Sequence, residues 1–271
     1  MTPVAATSPA APSGLTWCPG CGHRQAFDAL VSALQREGVA PSDTVVVTGM
    51  GCASLVSFHL NAYGLHGVHG RVLPLAIGVK AANPRLSVIV VAGDGDTGSI
   101  GLTHLLHAAR RNYDLTYLIL DNLSYGMTGG QPSATSNQNG RHPLNVLSLV
   151  LAAGGTFVAQ SVAWEIERTS VLIGRALRHR GFSVVNILSP CPTFHRVDQG
   201  AAVSEAPAES DGGLIAAIGT AFTPNAMPVG VLYETERPPD DLTGASNPRR
   251  QRWEHESIIE GILDKHQIVW R

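Results

Sequence analysis

The sequence is short of charge. Asp, Glu, Lys and Arg make up 15% of its 271 residues, and nineteen basic against twenty-one acidic side chains leave a formal net charge of −2. Without a basic excess there is no electrostatic footprint for nucleic acid or an anionic membrane surface, so neither is expected as a partner. A run of about 18 apolar residues is also missing, so no membrane-spanning helix is expected. Residues 1–14 hold no Lys or Arg and are rich in Ala, Pro, Ser and Thr. They lack the basic start and apolar core of a signal peptide and read as a flexible tail on a cytoplasmic protein. Cysteine is scarce as well, four in all. In a reducing cytosol those thiols are ligands to a metal or cluster more readily than they are disulfides.

What is present is apolar and glycine-rich: 44% hydrophobic residues and 29 glycines. That is enough for one large α/β domain with a substantial core. Low charge with many glycines suits a subunit that buries surface against partners, and equally a core with many tight turns.

The pattern along the chain predicts strands alternating with helices. Ala26–Glu37 reads as an amphipathic helix ended by Gly38. Thr44–Thr48 reads as a buried strand that stops at Gly49-Met50-Gly51. A helix over Leu73–Ala82 should stop before Asn83-Pro84. Leu86–Ala92 and Leu115–Leu120 are the next strands, with a helix over Ile100–Arg111 between them. A long Gly/Ser/Thr/Asn-rich loop from Leu123 to His142 is expected to be functional. Strands at Thr156–Val162 and Phe182–Leu188 flank a helix over Trp164–Arg180. A break follows at Ala206–Gly213, then a strand at Val229–Tyr233 and a last helix at Trp253–Lys265. The expected architecture is α/β, a mostly parallel sheet with helices on both faces. It is a single domain over 15–271, with a C-terminal extension from about residue 200. In such sheets ligands bind beyond the C-terminal strand ends, where the glycine-rich motifs fall.

One of those motifs is Gly93-Asp94-Gly95-Asp96, and Asp121-Asn122 ends the next strand. If the two strands are neighbours, Asp94 and Asn122 point into one crevice. Oxygen ligands beside a diphosphate are what Mg²⁺ requires. Gly93 and Gly95 let backbone approach the anion and allow φ > 0 if needed. A helix starting near Thr97 or Ser99 would aim its amides at the same point. Alone, Gly-Asp-Gly is a weak signal that often marks a capped turn. Followed by a strand-terminal Asn one unit later, it resembles the thiamine diphosphate (TPP) motif.

The cysteines form one Cys-x-x-Cys pair, Cys18 and Cys21, and two single residues, Cys52 and Cys191. Every one lies in a Gly/Pro-rich turn. Thiolates suit Zn²⁺ or an iron–sulfur cluster, and the spacing leaves both open. The motifs Trp17-Cys-Pro-Gly-Cys-Gly-His23, Gly49-Met-Gly-Cys-Ala-Ser54, His69-Gly-Arg71, Ala92-Gly-Asp-Gly-Asp96, His107-Ala-Ala-Arg-Arg-Asn112, Asp121-Asn122, Tyr125-Gly-Met-Thr-Gly-Gly-Gln131 and Ser189-Pro-Cys-Pro-Thr193 occur in that order. Together they resemble the β subunit of 2-oxoacid:ferredoxin oxidoreductases, from about Trp17 to the Val229–Pro238 segment.

That resemblance implies a TPP-binding fold and a defined set of ligands. Mg²⁺ would be held by Asp94, Asn122 and the Ser124 carbonyl. Met50, Gly51, Cys52, Ala53, His69, Gly93, Gly95, Asp96, Gly126 and Met127 would lie around TPP. Cys18, Cys21, Cys52 and Cys191 would hold a [4Fe–4S] cluster. His69, Ser54 and Arg71 would face the substrate. His69 reads equally as a core histidine ordering a turn, and Arg71 as the partner of a structural acid. His104 and His107, three apart on a helix, read as packing rather than metal ligands. The implied reaction is oxidative decarboxylation of a 2-oxo acid to acyl-CoA and CO₂, with electrons passing to ferredoxin. The activating glutamate would come from an α subunit in an (αβ)₂ heterotetramer. One departure bears on substrate. Leu55 stands where many members of the family carry a basic residue for the substrate's far carboxylate, so 2-oxoglutarate, pyruvate, branched and aryl 2-oxo acids all stay open. Two other readings compete: a non-oxidative TPP decarboxylase or lyase, and a zinc-stabilised non-catalytic module.

Overall fold

The computed structural model describes residues 16–137, 142–197, 203–206, 213–223 and 227–242. Residues 1–14 and the Trp253–Lys265 segment, expected to be a tail and a helix, lie outside these, as does most of the break expected at Ala206–Gly213. The chain up to Asp240 clusters as one compact unit. A second unit, Asp241–Arg271, is outside the described residues apart from its first two.

Among the described residues ten strands run in chain order: β1 (Thr44–Thr48), β2 (Tyr63–His66), β3 (Ser87–Gly93), β4 (Leu115–Asp121), β5 (Ser124–Tyr125), β6 (Gln131–Pro132), β7 (Phe157–Val162), β8 (Phe182–Leu188), β9 (Val203–Glu205) and β10 (Met227–Glu234). Seven α-helices accompany them: α1 (Gly22–Arg36), α2 (Val56–His59), α3 (Val72–Ala82), α4 (Leu102–Arg111), α5 (Val146–Ala152), α6 (Ile166–Arg178) and α7 (Gly213–Ala221). Eight strands form one sheet in the order β2-β1-β3-β4-β8-β7-β10-β9, while β5 and β6 make a separate small hairpin. From β2 to β7 every neighbouring pair is parallel; β10 runs antiparallel to β7. β10, beyond residue 200, joins the main sheet between β7 and β9, and the first compact unit runs to Asp240.

The sheet is buried on both faces because its strands alternate. In β3, Ile89 and Val91 pack with α1 and α6 on one face. Val88, Val90 and Ala92 pack with α3, α4, α5 and α7 on the other. Such double burial is why β1 and β3 read as continuous apolar runs. α1 starts four residues before the expected Ala26, because Cys21 ends the preceding turn and acts as its N-cap. α4 starts two residues later than Ile100, since Gly95–Ile100 forms a π-helical turn first. Wide turns of this kind recur at functional sites.

The C-terminal ends of β1, β3, β4 and β8 lie side by side along one sheet edge. β1 delivers Met50–Cys52, β3 delivers Asp94, β4 delivers Asn122 and β8 delivers Cys191. Parallel pairing of β3 with β4 makes Asp94 and Asn122 neighbours, the condition that a shared crevice requires.

Candidate active site

A cavity of about 170 Å³ opens at this edge. Its wall contains all thirteen residues expected around TPP and Mg²⁺, from Met50–Ala53 and His69 through Gly93–Asp96 to Asn122, Ser124, Gly126 and Met127. It also contains His23, Tyr125 and Thr128, which sequence reasoning missed. Ser54 and Arg71, expected on the substrate side, are not in the wall. The Ser54 hydroxyl is buried and donates to the Gly51 carbonyl at 2.6 Å, where it ties down the turn before α2. The exposed Arg71 guanidinium donates to the Gly70 carbonyl at 3.2 Å. Its charge, after partial burial, helps hold the nearby His104 imidazole below its usual range. Leu55 is buried in the core and does not reach the cavity.

Asp96 is the strut of the site. Its carboxylate is 2% exposed and accepts from the Met50 amide at 3.1 Å, from the Gly70 amide, and from His69 Nδ1 at 2.6 Å. It therefore joins the loop after β1 to the loop before α3. Gly49 is required by the same contact, since a Cβ there would sit 1.8 Å from Asp96 Oδ2. Expected beside the diphosphate, Asp96 lines the cavity but spends its oxygens on protein donors. The Asp96 bond also fixes which His69 nitrogen is occupied, Nδ1, and so sets the ring's tautomer.

Asp94 differs. Burial pushes its carboxyl up to about 8, and the charge of Asp121 adds to that. Asp121 is raised as well, chiefly by burial. Between them sits the Thr135 hydroxyl, 3.0 Å from Asp121 Oδ1 and 3.4 Å from Asp94 Oδ2, which can donate to only one at a time. Two buried carboxylates side by side oppose each other's ionised form, and a cation beside them would reverse that effect. Nearby, the Ser124 hydroxyl is buried without a partner. Asn122 Oδ1 accepts the Ser124 amide at 3.3 Å in a local turn, leaving it acceptor capacity for a metal. The turn is made possible by Leu123 at φ 59°, a left-handed conformation unusual for a bulky residue. Backbone strain of this type costs about 1–3 kcal/mol and concentrates at functional sites.

The glycines of the motif act by space. Neither Gly93 nor Gly95 takes a positive φ. A Cβ on Gly95 would meet the Tyr125 ring at 2.3 Å. A Cβ on Gly126 would lie 3.2 Å from Asn122 Nδ2, 3.6 Å from Cys52 Sγ and 3.9 Å from Cys191 Sγ. Gly126 thus marks a seam where the Asp94–Asn122 crevice meets the thiols.

The four cysteines come from three segments and carry no disulfide. The Trp17 indole N–H donates to the Cys52 carbonyl at 2.9 Å, and the Gly22 amide donates to the Pro190 carbonyl at 3.0 Å. These two bonds fasten the Cys18–Cys21 turn to the Cys52 and Cys191 loops. Trp17 is held in turn against Phe27 and His59, at ring distances of 5.4 and 4.9 Å. The Phe194 amide points at Cys191 Sγ, 3.4 Å away. Burial pushes the Cys52 thiol up to about 11, and the charges of Cys21, Cys191 and Cys18 push the same way, so the four sulfurs share one neighbourhood. Among the described residues no three His, Cys, Asp or Glu side chains converge on a single ion position. His23, 2% exposed, stands between thiols and cavity with both ring nitrogens unpartnered, and burial holds its imidazole down at about 4.

Residues 48–187 match the family described as thiamine pyrophosphate enzyme, C-terminal TPP binding domain. A 2-oxoacid:ferredoxin oxidoreductase β subunit of Aeropyrum pernix is 39% identical over 191 residues, 67% of this chain and 62% of that protein. The 2-oxoglutarate synthase subunit KorB of Archaeoglobus fulgidus is 38% identical over 191 residues, 67% of this chain and 71% of its own length. A solved 2-oxoglutarate:ferredoxin oxidoreductase from Magnetococcus marinus, with 2-oxoglutarate, coenzyme A and succinyl-CoA bound, superposes with a TM-score of 0.84 at 34% identity, covering 92% of each chain. The chain spans about three fifths of the length of several curated relatives it matches. The matches place Asp94 and Asn122 inside the thiamine-pyrophosphate domain and extend past it on both sides, and by them this chain belongs to the β subunits of the 2-oxoacid:ferredoxin oxidoreductase family.

Proposed function

We propose that this chain is the cofactor-bearing half of a CoA-acylating 2-oxoacid:ferredoxin oxidoreductase, active only with an α subunit. The observation that carries the proposal is the seam at Gly126, where Asn122 Nδ2, Cys52 Sγ and Cys191 Sγ all lie within 4 Å of one point. A non-oxidative lyase has no use for thiols there. A zinc module has no use for the buried Asp94–Asp121 pair, and the thiols make no single-ion cage among the described residues.

Asp94, Asn122 and the Ser124 carbonyl hold Mg²⁺ beside the diphosphate. Cys18, Cys21, Cys52 and Cys191 hold a [4Fe–4S] cluster. Asp96 sets the Met50 and His69 loops around the cavity through its three contacts. Bound there, thiamine diphosphate would supply an electron sink for the carbonyl carbon of a 2-oxo acid, and a cluster held by the four cysteines would supply a one-electron relay towards ferredoxin.

A cavity of about 170 Å³ is smaller than the roughly 300–1,000 Å³ of a complete small-molecule site, which supports a site completed by a partner. Its rim supports the same reading: Met50 and Met127 are 47% and 56% exposed. An α subunit covering that rim would bring the activating glutamate and form the (αβ)₂ heterotetramer. With Leu55 buried, recognition of the substrate's far end falls to that subunit or to an apolar contact. The assay is CoA-dependent reduction of ferredoxin by a panel of 2-oxo acids, run on the anaerobic αβ complex and on the β chain alone. Reduction by the complex and none by the chain is expected. Full activity from the chain alone, or decarboxylation that needs neither CoA nor acceptor, would refute the proposal.

A further inference from the structure

His23 is the second residue of α1 and follows Cys21 by two positions. It is 2% exposed, and neither ring nitrogen makes a well-aligned hydrogen bond, the only backbone groups beside the ring being those of Leu120 and Cys52. A neutral imidazole brings one N–H donor and one lone pair. Leaving a buried polar group unmet costs about 1–3 kcal/mol, so an orphan of this kind calls for an explanation. Among the described residues three other side chains carry such an atom, on Ser124, Ser170 and Asn186. Ser124 shares the cavity wall with His23, and Asn186 lines a different cavity. Two orphans in one wall point to a ligand that meets both.

The surroundings of His23 say which ligand. Its ring lies near the backbone of Leu120, just before Asp121-Asn122, and near that of Cys52. Of the four cysteines only Cys52 enters the cavity wall; Cys18, Cys21 and Cys191 do not. His23 therefore shares the cavity wall with Cys52 and Asn122, a wall that the other three cysteines do not enter.

We propose that His23 is a positioning residue for the bound cofactor: a ring nitrogen hydrogen-bonds thiamine diphosphate and seats it against the thiol side of the cavity. This rests on the reading of the cavity as a TPP site. It adds a residue that the Asp94–Asn122 motif does not contain.

The test is equilibrium binding of thiamine diphosphate with Mg²⁺ to the anaerobic αβ complex, for the unmodified protein and for His23→Leu and His23→Gln. Iron content and visible absorbance are read on the same samples. Expected are about tenfold weaker binding for His23→Leu, partial recovery in His23→Gln, and unchanged iron in both, consistent with one lost hydrogen bond. Unchanged binding by a folded His23→Leu overturns the role of His23 and leaves the cavity reading intact. Loss of iron with cofactor binding preserved also overturns it, since the ring would then serve the thiols. No saturable binding by the unmodified complex removes the cavity reading itself. Should His23→Leu not fold, a crystal structure of the unmodified complex with thiamine diphosphate and Mg²⁺ decides. A ring nitrogen within about 3.2 Å of a cofactor atom supports the proposal. Both nitrogens on water, sulfide or protein groups overturn it.

Discussion

Asp96 and Asp94 are two residues apart, both almost wholly buried, and their surroundings are opposite. Asp96 meets two backbone amides and an imidazole and holds two loops together. Asp94 faces another carboxylate, and burial with that charge pushes it up to about 8. One carboxylate is surrounded by donors from two loops; the other has a second carboxylate beside it. The Cys21 and Cys52 thiols belong with Asp94, since burial raises both and opposes the ionised form a ligand needs. A scaffold that gathers a buried carboxylate pair and its thiols at one edge suits the cation and cluster proposed for it, while Asp96 shapes the space between the loops.

The largest effect should come from breaking the waiting side. Asp94→Asn removes one proposed Mg²⁺ ligand and relieves the carboxylate pair. Binding of thiamine diphosphate with Mg²⁺ should fall at least about 100-fold, on the order of 3 kcal/mol, while the cofactor-free chain melts no lower than the parent. Calorimetric titration and a thermal melt read both. Next is Asp96→Asn, which should do the reverse. An amide in place of the carboxylate sets N–H against donors, and the cofactor-free protein should lose about 2–4 kcal/mol in denaturant unfolding. A smaller effect tests the seam between the two sites. Gly126→Ala places a methyl 3.2 Å from Asn122 Nδ2. Cofactor affinity should drop about tenfold with global stability changed by less than about 1 kcal/mol.

The last test is of pH dependence. Asp94 is raised on folding, so its contribution to stability is full below the unfolded value of 3.8 and is lost as pH rises through about 8. Melts of the cofactor-free chain should therefore decline between those limits. Mg²⁺ with thiamine diphosphate should flatten the decline, and Asp94→Asn should reduce it without any ligand.

What was legible in the sequence follows the same divide. β1, β4 and β8 were readable because unbroken β-branched and aliphatic runs are what a doubly buried parallel strand demands. Asp94 and Asn122 were readable because each ends such a run. β2 was not: Tyr63, Gly64 and His66 are exposed, so no alternation marks it. Helix α7 and the hairpin of β5 and β6 were missed for a related reason, since Gly213–Ala221 is apolar almost all round and the strands of the hairpin are two residues each. In the site, the failures were contacts that local spacing cannot encode. Ser54 turns back to Gly51, three residues away, instead of facing substrate. Asp96 reaches Met50, forty-six residues earlier, and Trp17 reaches Cys52, thirty-five residues later. Gly49 was the available signal for the first of these, because a glycine ending a strand reports a close approach. His23 gave no signal, since a lone histidine beside a cysteine turn looks the same whether satisfied or orphaned.

The most direct test of the account is the iron, acid-labile sulfide and zinc content of the anaerobically purified complex, read per β chain with its visible spectrum. About four irons and four sulfides assignable to the β chain, the content of one [4Fe–4S] cluster, with an absorbance that Cys191→Ala removes, is the predicted result. Zinc in place of iron, or a Cys191→Ala spectrum identical to the parent, would contradict it: the thiols would then be structural or differently grouped, and the seam at Gly126 would join no redox centre to the cofactor cavity.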